Sequence, residues 1–347
     1  MKKINHYFFL KAAGIVLLSV FVSCHSSTST SSSASSQDKK QVADSLGQDD
    51  EDSALLKQFS PGDLKTNWTK HSIPLDSIHD GGPPKNGIPA IDYPVFVSVK
   101  EASQFLAEPD FGILLDVNGE QRFYPFNIME WHEIVNDRIG DRAIAVTFCP
   151  LCGSGIVFDR TVDGDTLSFG VSGKLFESNL LMFDAKTESL WSQQLGECVV
   201  GDKLGKKLSI INSVITSYED IEKYFPNAGV LSIKTGYDRN YSEYPYADYN
   251  ASEELYFPVS KTNHRYNNKD EMYVVVIGNS SVAFHWKDLL GAGKATQKTP
   301  NGTIDVAVTN NIPSATQREN GNQLNGYFSY WFSWYVMHGE NGMVWGK

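Results

Sequence analysis

The clearest pattern in the sequence is a series of short apolar, β-branched runs separated by turn residues, which begins near residue 111. Asn118-Gly119 and Asp163-Gly164 both suit a two-residue turn with positive φ at its central positions. Three pairs of runs are therefore predicted to form hairpins: residues 111–117 with 121–124, 155–160 with 166–171, and 180–183 with 189–191. The pattern predicts a mainly β fold of antiparallel meanders, with an α+β fold as the alternative.

Helices are predicted to be few and short. Asn127 followed by Glu130 is typical of a helix start and predicts a helix over residues 128–135. A second helix is predicted over residues 217–225, directly before a proline. The aromatic run 327–335 is interpreted as a core element rather than a surface on which sugar rings stack.

The sequence also contains a faint internal repeat at an offset of about 160 residues. Two pairs of segments correspond: 114–119 with 274–279, and 143–147 with 304–309. We interpret them as two similar β units, about 88–200 and 255–347, although strands of similar composition could also produce the likeness. The first unit continues into Cys149-Pro150-Leu151-Cys152-Gly153 and the second into Asn310-Asn311, so the chemistry is expected in the first unit only.

Composition excludes some classes of function. The chain has 347 residues, 41% of them hydrophobic, and carries 41 acidic against 30 basic residues for a formal net charge of −11. Such a chain can form a sizeable core, but it has no electrostatic reason to bind nucleic acid. Its four cysteines are too few for a disulfide scaffold, so folding must depend on the burial of apolar surface.

The N-terminus resembles the signal peptide of a bacterial lipoprotein. Lys2 and Lys3 precede an apolar stretch, residues 12–22, that is too short to span a bilayer. Phe21-Val22-Ser23-Cys24 then resembles a lipobox, whose cysteine is diacylated and becomes the new N-terminus. We therefore expect a signal peptide at 1–23 and a lipid anchor on Cys24 that attaches the protein to a bacterial membrane. The folded part is then expected in the cell envelope, in the periplasm.

The segment after Cys24 is predicted to be a flexible tether. Residues 26–36 consist of eight serines, two threonines and one alanine, and residues 37–52 are mostly charged or polar. We assign 24–58 to the tether and 59–347 to the globular part.

The cysteine segment is the most specific chemical feature. Cys149-Pro150-Leu151-Cys152-Gly153 is predicted at the tip of a hairpin, where two sulfurs can converge and glycine can supply a positive φ. Zinc ribbons use a similar turn for half of a metal site. Cys198 is interpreted as a buried strand cysteine.

A nearby histidine completes the preferred hypothesis, a site for one zinc or copper ion. His132 precedes the cysteines by 17 positions and is the candidate nitrogen ligand, or else a proton-transfer group, with Glu133 as a weaker candidate. Met182 is more often a core residue but could complete a site for a soft metal such as copper. An open coordination position at such a metal would permit catalysis.

Two other functions stay open at this point. Cys-Pro-x-Cys is also a thiol–disulfide motif, although the helix that follows it in thioredoxin-like proteins is not predicted here. A third class, a structural or partner-binding lipoprotein, would use neither cysteine. No protein partner or substrate is indicated by the sequence.

Several ordered motifs resemble the bacterial domain-of-unknown-function 3179 family over roughly residue 88 to the C-terminus. They are 131–137, 146–154, 158–160, 169–173 and 187–193. The resemblance implies no established activity, but it places these residues in family motifs: His132, Cys149, Cys152, Asn179, Asp184, Glu188, Trp191 and Gln193. Cys198 stands where the family usually has a small residue.

Overall fold

The computed structural model describes residues 62–346, so the predicted signal peptide, Cys24 and the whole of the predicted tether lie outside the described residues. None of the helices formed by residues 62–346 is both long and apolar enough to cross a membrane. The described part of the chain contains five short α-helices among many strands, which confirms the mainly β prediction.

The bounds of the helices and strands are as follows, numbered in chain order. The helices are Val99–Ala102 (α1), Phe126–His132 (α2), Tyr218–Tyr224 (α3), Trp286–Ala292 (α4) and Trp331–His338 (α5). The strands are Ile78–Asp80 (β1), Phe96–Ser98 (β2), Phe111–Val117 (β3), Glu120–Pro125 (β4), Ile134–Ile139 (β5), Arg142–Cys149 (β6), Ser154–Asp159 (β7), Thr161–Val162 (β8), Asp165–Thr166 (β9), Phe169–Phe176 (β10), Asn179–Asp184 (β11), Leu190–Ser192 (β12), Glu197–Val200 (β13), Ser209–Ile211 (β14), Ser213–Ser217 (β15), Gly229–Leu231 (β16), Glu271–Ile277 (β17), Ser280–His285 (β18), Lys294–Thr299 (β19), Gly302–Thr309 (β20), Ile312–Gln317 (β21), Gln323–Leu324 (β22), Gly326–Tyr330 (β23) and Met343–Val344 (β24).

These strands form one central sheet and several smaller ones. The central sheet has eight strands in the order β24-β18-β17-β23-β7-β6-β5, with β14 paired to β7. Two five-stranded sheets follow the orders β1-β10-β11-β12-β13 and β15-β3-β4-β16-β2, and a four-stranded sheet the order β19-β20-β21-β22. Most pairs are antiparallel, and β16–β4 and β18–β24 are parallel.

The repeat predicted from sequence has a structural counterpart. The series β3-β4-α2-β5-β6-β7 and the series β17-β18-α4-β19-β20-β21 match element for element, with lengths of seven, six, seven, six, eight and six residues in both. The matching series cover residues 111–159 and 271–317, less than the units expected from sequence. The central sheet combines the last three strands of the first series with the first two of the second.

Two of the three predicted hairpins form as expected. β3 pairs with β4 around Asn118-Gly119, and β11 pairs with β12. The third prediction was wrong, because Asp163-Gly164 joins only the two-residue strands β8 and β9. β7 instead pairs with β6, and β10 with β11, since these longer partners offer more hydrogen bonds and apolar contacts.

The helix predictions were correct in place but not in detail. α2 begins after Pro125 and ends at His132, and Asn127 does not cap it. The next residue, Glu133, has a left-handed φ of 57°. Pro125 occupies the N-cap position, where its ring fixes φ near −65°, and no side chain accepts a hydrogen bond from the first turn. α3 begins as predicted, where the Ser217 hydroxyl accepts a hydrogen bond from the Asp220 N–H.

One buried side chain links the central sheet to the β10 sheet. The Asn136 amide on β5 donates to the Phe169 carbonyl at 2.8 Å, and its oxygen accepts from the Phe169 N–H at 2.9 Å. The same amide donates to Asp92 at 2.7 Å. These bonds satisfy both backbone groups of a buried strand residue from another sheet.

We predict that Asn136→Ala lowers the free energy of unfolding by about 3 kcal/mol, because the buried N–H and C=O of Phe169 lose their partner. Urea unfolding followed by circular dichroism measures the change. The control is Asn67→Ala, whose amide donates to Asp202 at the surface and whose loss should have little effect. Equal stability of the Asn136 variant and the native protein would contradict the proposed link between the sheets.

Candidate functional site

The cysteine segment forms the tip of the β6–β7 hairpin, as the sequence predicts. Cys149 pairs with Ser154 at the end of the ladder, and the Cys152 N–H donates to the Cys149 carbonyl at 3.1 Å. Gly153 has a φ of +54°, and a Cβ there would approach the Tyr330 ring to 2.4 Å. The turn therefore needs glycine both for its backbone conformation and for the contact with β23.

The two sulfurs lie side by side in a buried environment. The Sγ atoms of Cys149 and Cys152 are 3.0 Å apart, and the side chains are 2% and 0% exposed. In the reduced pair the Cys149 thiol donates to the Cys152 sulfur, and the Cys152 thiol donates to the Ser178 carbonyl at 3.1 Å. Burial, with a further contribution from neighbouring Cys152 and Glu133, raises the pKa of the Cys149 thiol well above its ordinary value.

A buried polar network lies behind Cys152. The Asn179 amide donates to the Cys152 sulfur at 3.3 Å and to the Gln193 side-chain oxygen at 2.8 Å. The Gln193 amide in turn donates to the Thr147 hydroxyl and the Ser154 carbonyl. Gln193, a residue from the family motifs, therefore fixes the Asn179 amide, which donates a hydrogen bond to the Cys152 sulfur.

Glu133 is the titratable group on the other side of the pair. It is 7% exposed, and burial raises its pKa to about 7, while the Tyr246 hydroxyl donates to its Oε1 at 2.6 Å. Its backbone carbonyl accepts from the Phe148 N–H at 2.8 Å, one position before Cys149. The charge of its carboxyl contributes to the raised pKa of the Cys149 thiol.

A tyrosine-rich segment, residues 237–256, covers the hairpin. The Tyr249 hydroxyl donates to the Leu151 carbonyl at 2.7 Å, and Tyr246 bonds to Glu133. The segment contains six tyrosines at uneven spacing, namely Tyr237, Tyr241, Tyr244, Tyr246, Tyr249 and Tyr256. Sequence reasoning missed it, although its density of tyrosines was a visible signal.

His132 is not directed at the sulfurs. Its Nδ1 donates to the Pro89 carbonyl at 2.7 Å, so its Nε2 accepts from the Tyr241 hydroxyl at 2.7 Å. Burial lowers the pKa of the ring, which favours the neutral form. Both nitrogens are occupied, so this structure does not support His132 as the nitrogen ligand.

The other metal candidates do not complete a ligand set either. Met182 is fully buried in the same apolar cluster as the two cysteines. In residues 62–346 no group of three or more histidine, cysteine or carboxylate side chains is arranged to hold a metal ion. Cys198 is a buried residue on β13, as expected, and burial raises the pKa of its thiol to about 12.

Three further residues from the family motifs stabilise a turn rather than the sulfur pair. Asp184 accepts from the Trp191 indole at 3.1 Å and from the Thr187 N–H at 2.7 Å, which fixes the β11–β12 connection. Glu188 has a φ of 52° and pairs with Lys85 at 2.8 Å. Asp184, Glu188 and Trp191 thus form a cluster of their own.

Comparison with known proteins identifies the family of this chain but no relative of known structure. Residues 85–325, more than half of the chain, match the family described as Protein of unknown function (DUF3179). The chain belongs to this DUF3179 family. No curated protein and no solved structure shows a significant match. The match includes the cysteine hairpin, the Asn179–Gln193 network and all five strands of the second repeat series, β17 to β21.

We predict that the Glu133 carboxyl makes stability fall as pH rises from 4.5 to 7. Below that range the carboxyl is protonated in both states, and within it only the unfolded chain releases the proton, so folding becomes less favourable. With a pKa of about 7 against an ordinary 4.5, the loss reaches about 3 kcal/mol. Glu133→Gln should remove it, so the variant gains stability relative to the native protein as pH rises.

Urea unfolding at several pH values between 4 and 8 measures this difference. Glu254→Gln is the control, because that side chain is exposed. A constant difference between Glu133→Gln and the native protein across the range would show that Glu133 ionises normally.

Proposed function

We propose that this DUF3179 protein is a thiol–disulfide redox protein of the bacterial cell envelope, with Cys149 and Cys152 as its reactive pair. The observation that carries the proposal is the 3.0 Å separation of the two sulfurs. The buried Glu133 carboxyl, whose charge acts on Cys149 and whose pKa is raised to about 7, supplies a group that can exchange a proton. Disulfide formation needs two sulfurs in contact and a group that handles a proton, and both are present.

Cys152 is the sulfur better suited to attack. As a thiolate it would accept hydrogen bonds from both the Cys149 thiol and the Asn179 amide, and two donors stabilise the charge. Its sulfur attacks one sulfur of a substrate disulfide, the substrate S–S bond breaks, and the departing thiolate takes up a proton. A mixed disulfide on Cys152 results.

Cys149 then resolves the mixed disulfide. Glu133 accepts the Cys149 proton, the Cys149 sulfur attacks the Cys152 sulfur, and the second substrate thiol leaves with a proton returned from Glu133. One substrate disulfide is thereby reduced to two thiols while Cys149 and Cys152 are oxidised to a disulfide. Since both sulfurs are buried, the substrate reaches them only after segment 237–256 moves.

Zinc or copper binding by the same two cysteines is the competing proposal. It requires ligands from outside the described residues or a rearrangement of His132, because the hydrogen bonds of the histidine occupy both nitrogens. We favour the redox proposal because it uses only groups that already lie together.

We predict that the Cys149–Cys152 pair has a reduction potential above about −300 mV, as expected of an exchanging rather than a structural disulfide. Equilibration with glutathione buffers, followed by alkylation and mass spectrometry, measures it. Glu133→Gln should slow resolution of the mixed disulfide formed with glutathione disulfide. Cys198→Ser is the matched control and should change neither value.

Two results would overturn the redox proposal. A potential well below −300 mV would indicate a structural disulfide. Stoichiometric zinc or copper in protein purified without a His-tag, lost in Cys149→Ser/Cys152→Ser, would instead support the metal site.

The location proposal rests on the sequence. Phe21-Val22-Ser23-Cys24 and the serine-rich tether support a lipoprotein whose folded part stands away from the membrane. Cys24→Ala should abolish lipidation and move the protein from the membrane fraction to the soluble envelope fraction, as shown by fractionation and immunoblotting. Retention of an unprocessed variant in the membrane would indicate a transmembrane anchor, whereas Ser27→Ala should leave the distribution unchanged.

A further inference from the structure

A cavity of about 280 Å³ lies beside the cysteine hairpin and touches it at Pro150 and Gly153. Its walls are mainly aromatic: Phe111, Phe126, Phe148, Tyr244, Trp286 and Tyr330. The first repeat supplies Phe126 and Phe148, whose rings stack 4.0 Å apart, and the second supplies Trp286. We name this cavity, with its two acidic side chains described below, the aromatic pocket.

Two carboxyl groups line the aromatic pocket, Glu130 and Glu271. Loss of hydration, together with the nearby Asp110, raises the pKa of Glu130 to about 8. Glu271 lies at the exposed edge of the pocket, where partial loss of hydration and the adjacent Asp270 also raise its pKa. No lysine, arginine or histidine among residues 62–346 lines this pocket, so neither carboxyl finds a counter-charge there.

The combination of aromatic rings and unpaired carboxyls has a specific chemical complement. The faces of aromatic rings carry negative potential and attract cations, most strongly where water is excluded. A carboxyl held in such surroundings pays for its dehydration unless a positive charge enters beside it. The rings and the carboxyls therefore both favour a positively charged ligand.

The apolar walls also decide between kinds of cation. A hydrated inorganic ion would have to give up its water for two carboxyls, one amide, two tyrosine hydroxyls and otherwise apolar surface. An ammonium group that carries methyl or other alkyl substituents has little hydration to lose and presents apolar surface to the rings. The volume, at the lower end for ligand sites, suits a small molecule.

We propose that the aromatic pocket binds a small organic cation with a quaternary or alkylated ammonium group, held by the aromatic rings and by Glu130 and Glu271. The site does not use the sulfur chemistry, so the proposal stands independently of the redox function. It also gives the second repeat a role, because Glu271 and Trp286 belong to that repeat.

Calorimetric titration of the intact protein with choline tests the proposal. The neutral isostere 3,3-dimethylbutan-1-ol has the same shape without the charge, and we expect it to bind at least about tenfold more weakly. Glu130→Gln and Glu271→Gln should each weaken choline binding severalfold and bring the two ligands closer in affinity. Asp141→Asn is the control, because it removes a carboxyl at the opposite end of strand β6.

The pH dependence provides a second readout. A bound cation favours the ionised carboxyls, so choline binding should tighten as pH rises from 6 to 8 and should release protons. Titrations in buffers of different ionisation enthalpy measure that release. In Glu130→Gln most of the release should disappear.

Three outcomes would overturn the proposal: equal affinity for choline and its isostere, no choline binding at tens of millimolar, or binding unaffected by both glutamine substitutions. Cys149→Ser/Cys152→Ser should still bind choline. Failure of the redox proposal would therefore leave this result intact, and failure of choline binding would leave the redox result intact.

Discussion

The arrangement of the site depends on strand β23, which completes the central sheet between β17 and β7. Phe328 pairs with Gly155 directly after the cysteine turn, and the Tyr330 N–H donates to the Cys152 carbonyl at 2.8 Å. The Tyr330 ring occupies the space that any side chain at position 153 would need. This contact holds the cysteine turn against the central sheet, and Tyr330 also forms a wall of the aromatic pocket, so the strand that completes the sheet stabilises the site as well.

The two repeats have the same series of elements but contribute different residues to the site. The β6–β7 hairpin of the first repeat corresponds to the β20–β21 hairpin of the second. The second hairpin turns at Asn310-Asn311, whose φ values of 54° and 62° suit a tight turn, and has no cysteines there. The first repeat carries the cysteines and Glu133, and the second contributes Glu271 and Trp286 to the neighbouring cavity. Neither half alone therefore contains all the groups that meet beside the hairpin.

Local sequence signals predicted the local features well. The Asn118-Gly119 turn, the cysteine turn and the α3 start are set by residues that interact within a few positions, and all three are observed. The orientation of His132 could not be predicted, because Pro89 and Tyr241, far away in sequence, bind its nitrogens. The environment of Glu133 could not be predicted for the same reason. Its carboxyl is bonded by Tyr246, which is distant in sequence, and its own left-handed backbone conformation after α2 is not indicated by any periodicity.

The long sequence separation between β7 and β23 has a consequence for how the protein matures. During synthesis the cysteine hairpin emerges long before residues 326–330, because chains are made from the N-terminus. Until β23 docks, nothing covers the sulfurs from that side, and they meet whatever oxidant or thiol the compartment holds. The redox state of the pair can therefore be set while the chain is still unfinished, and the late strand then encloses it.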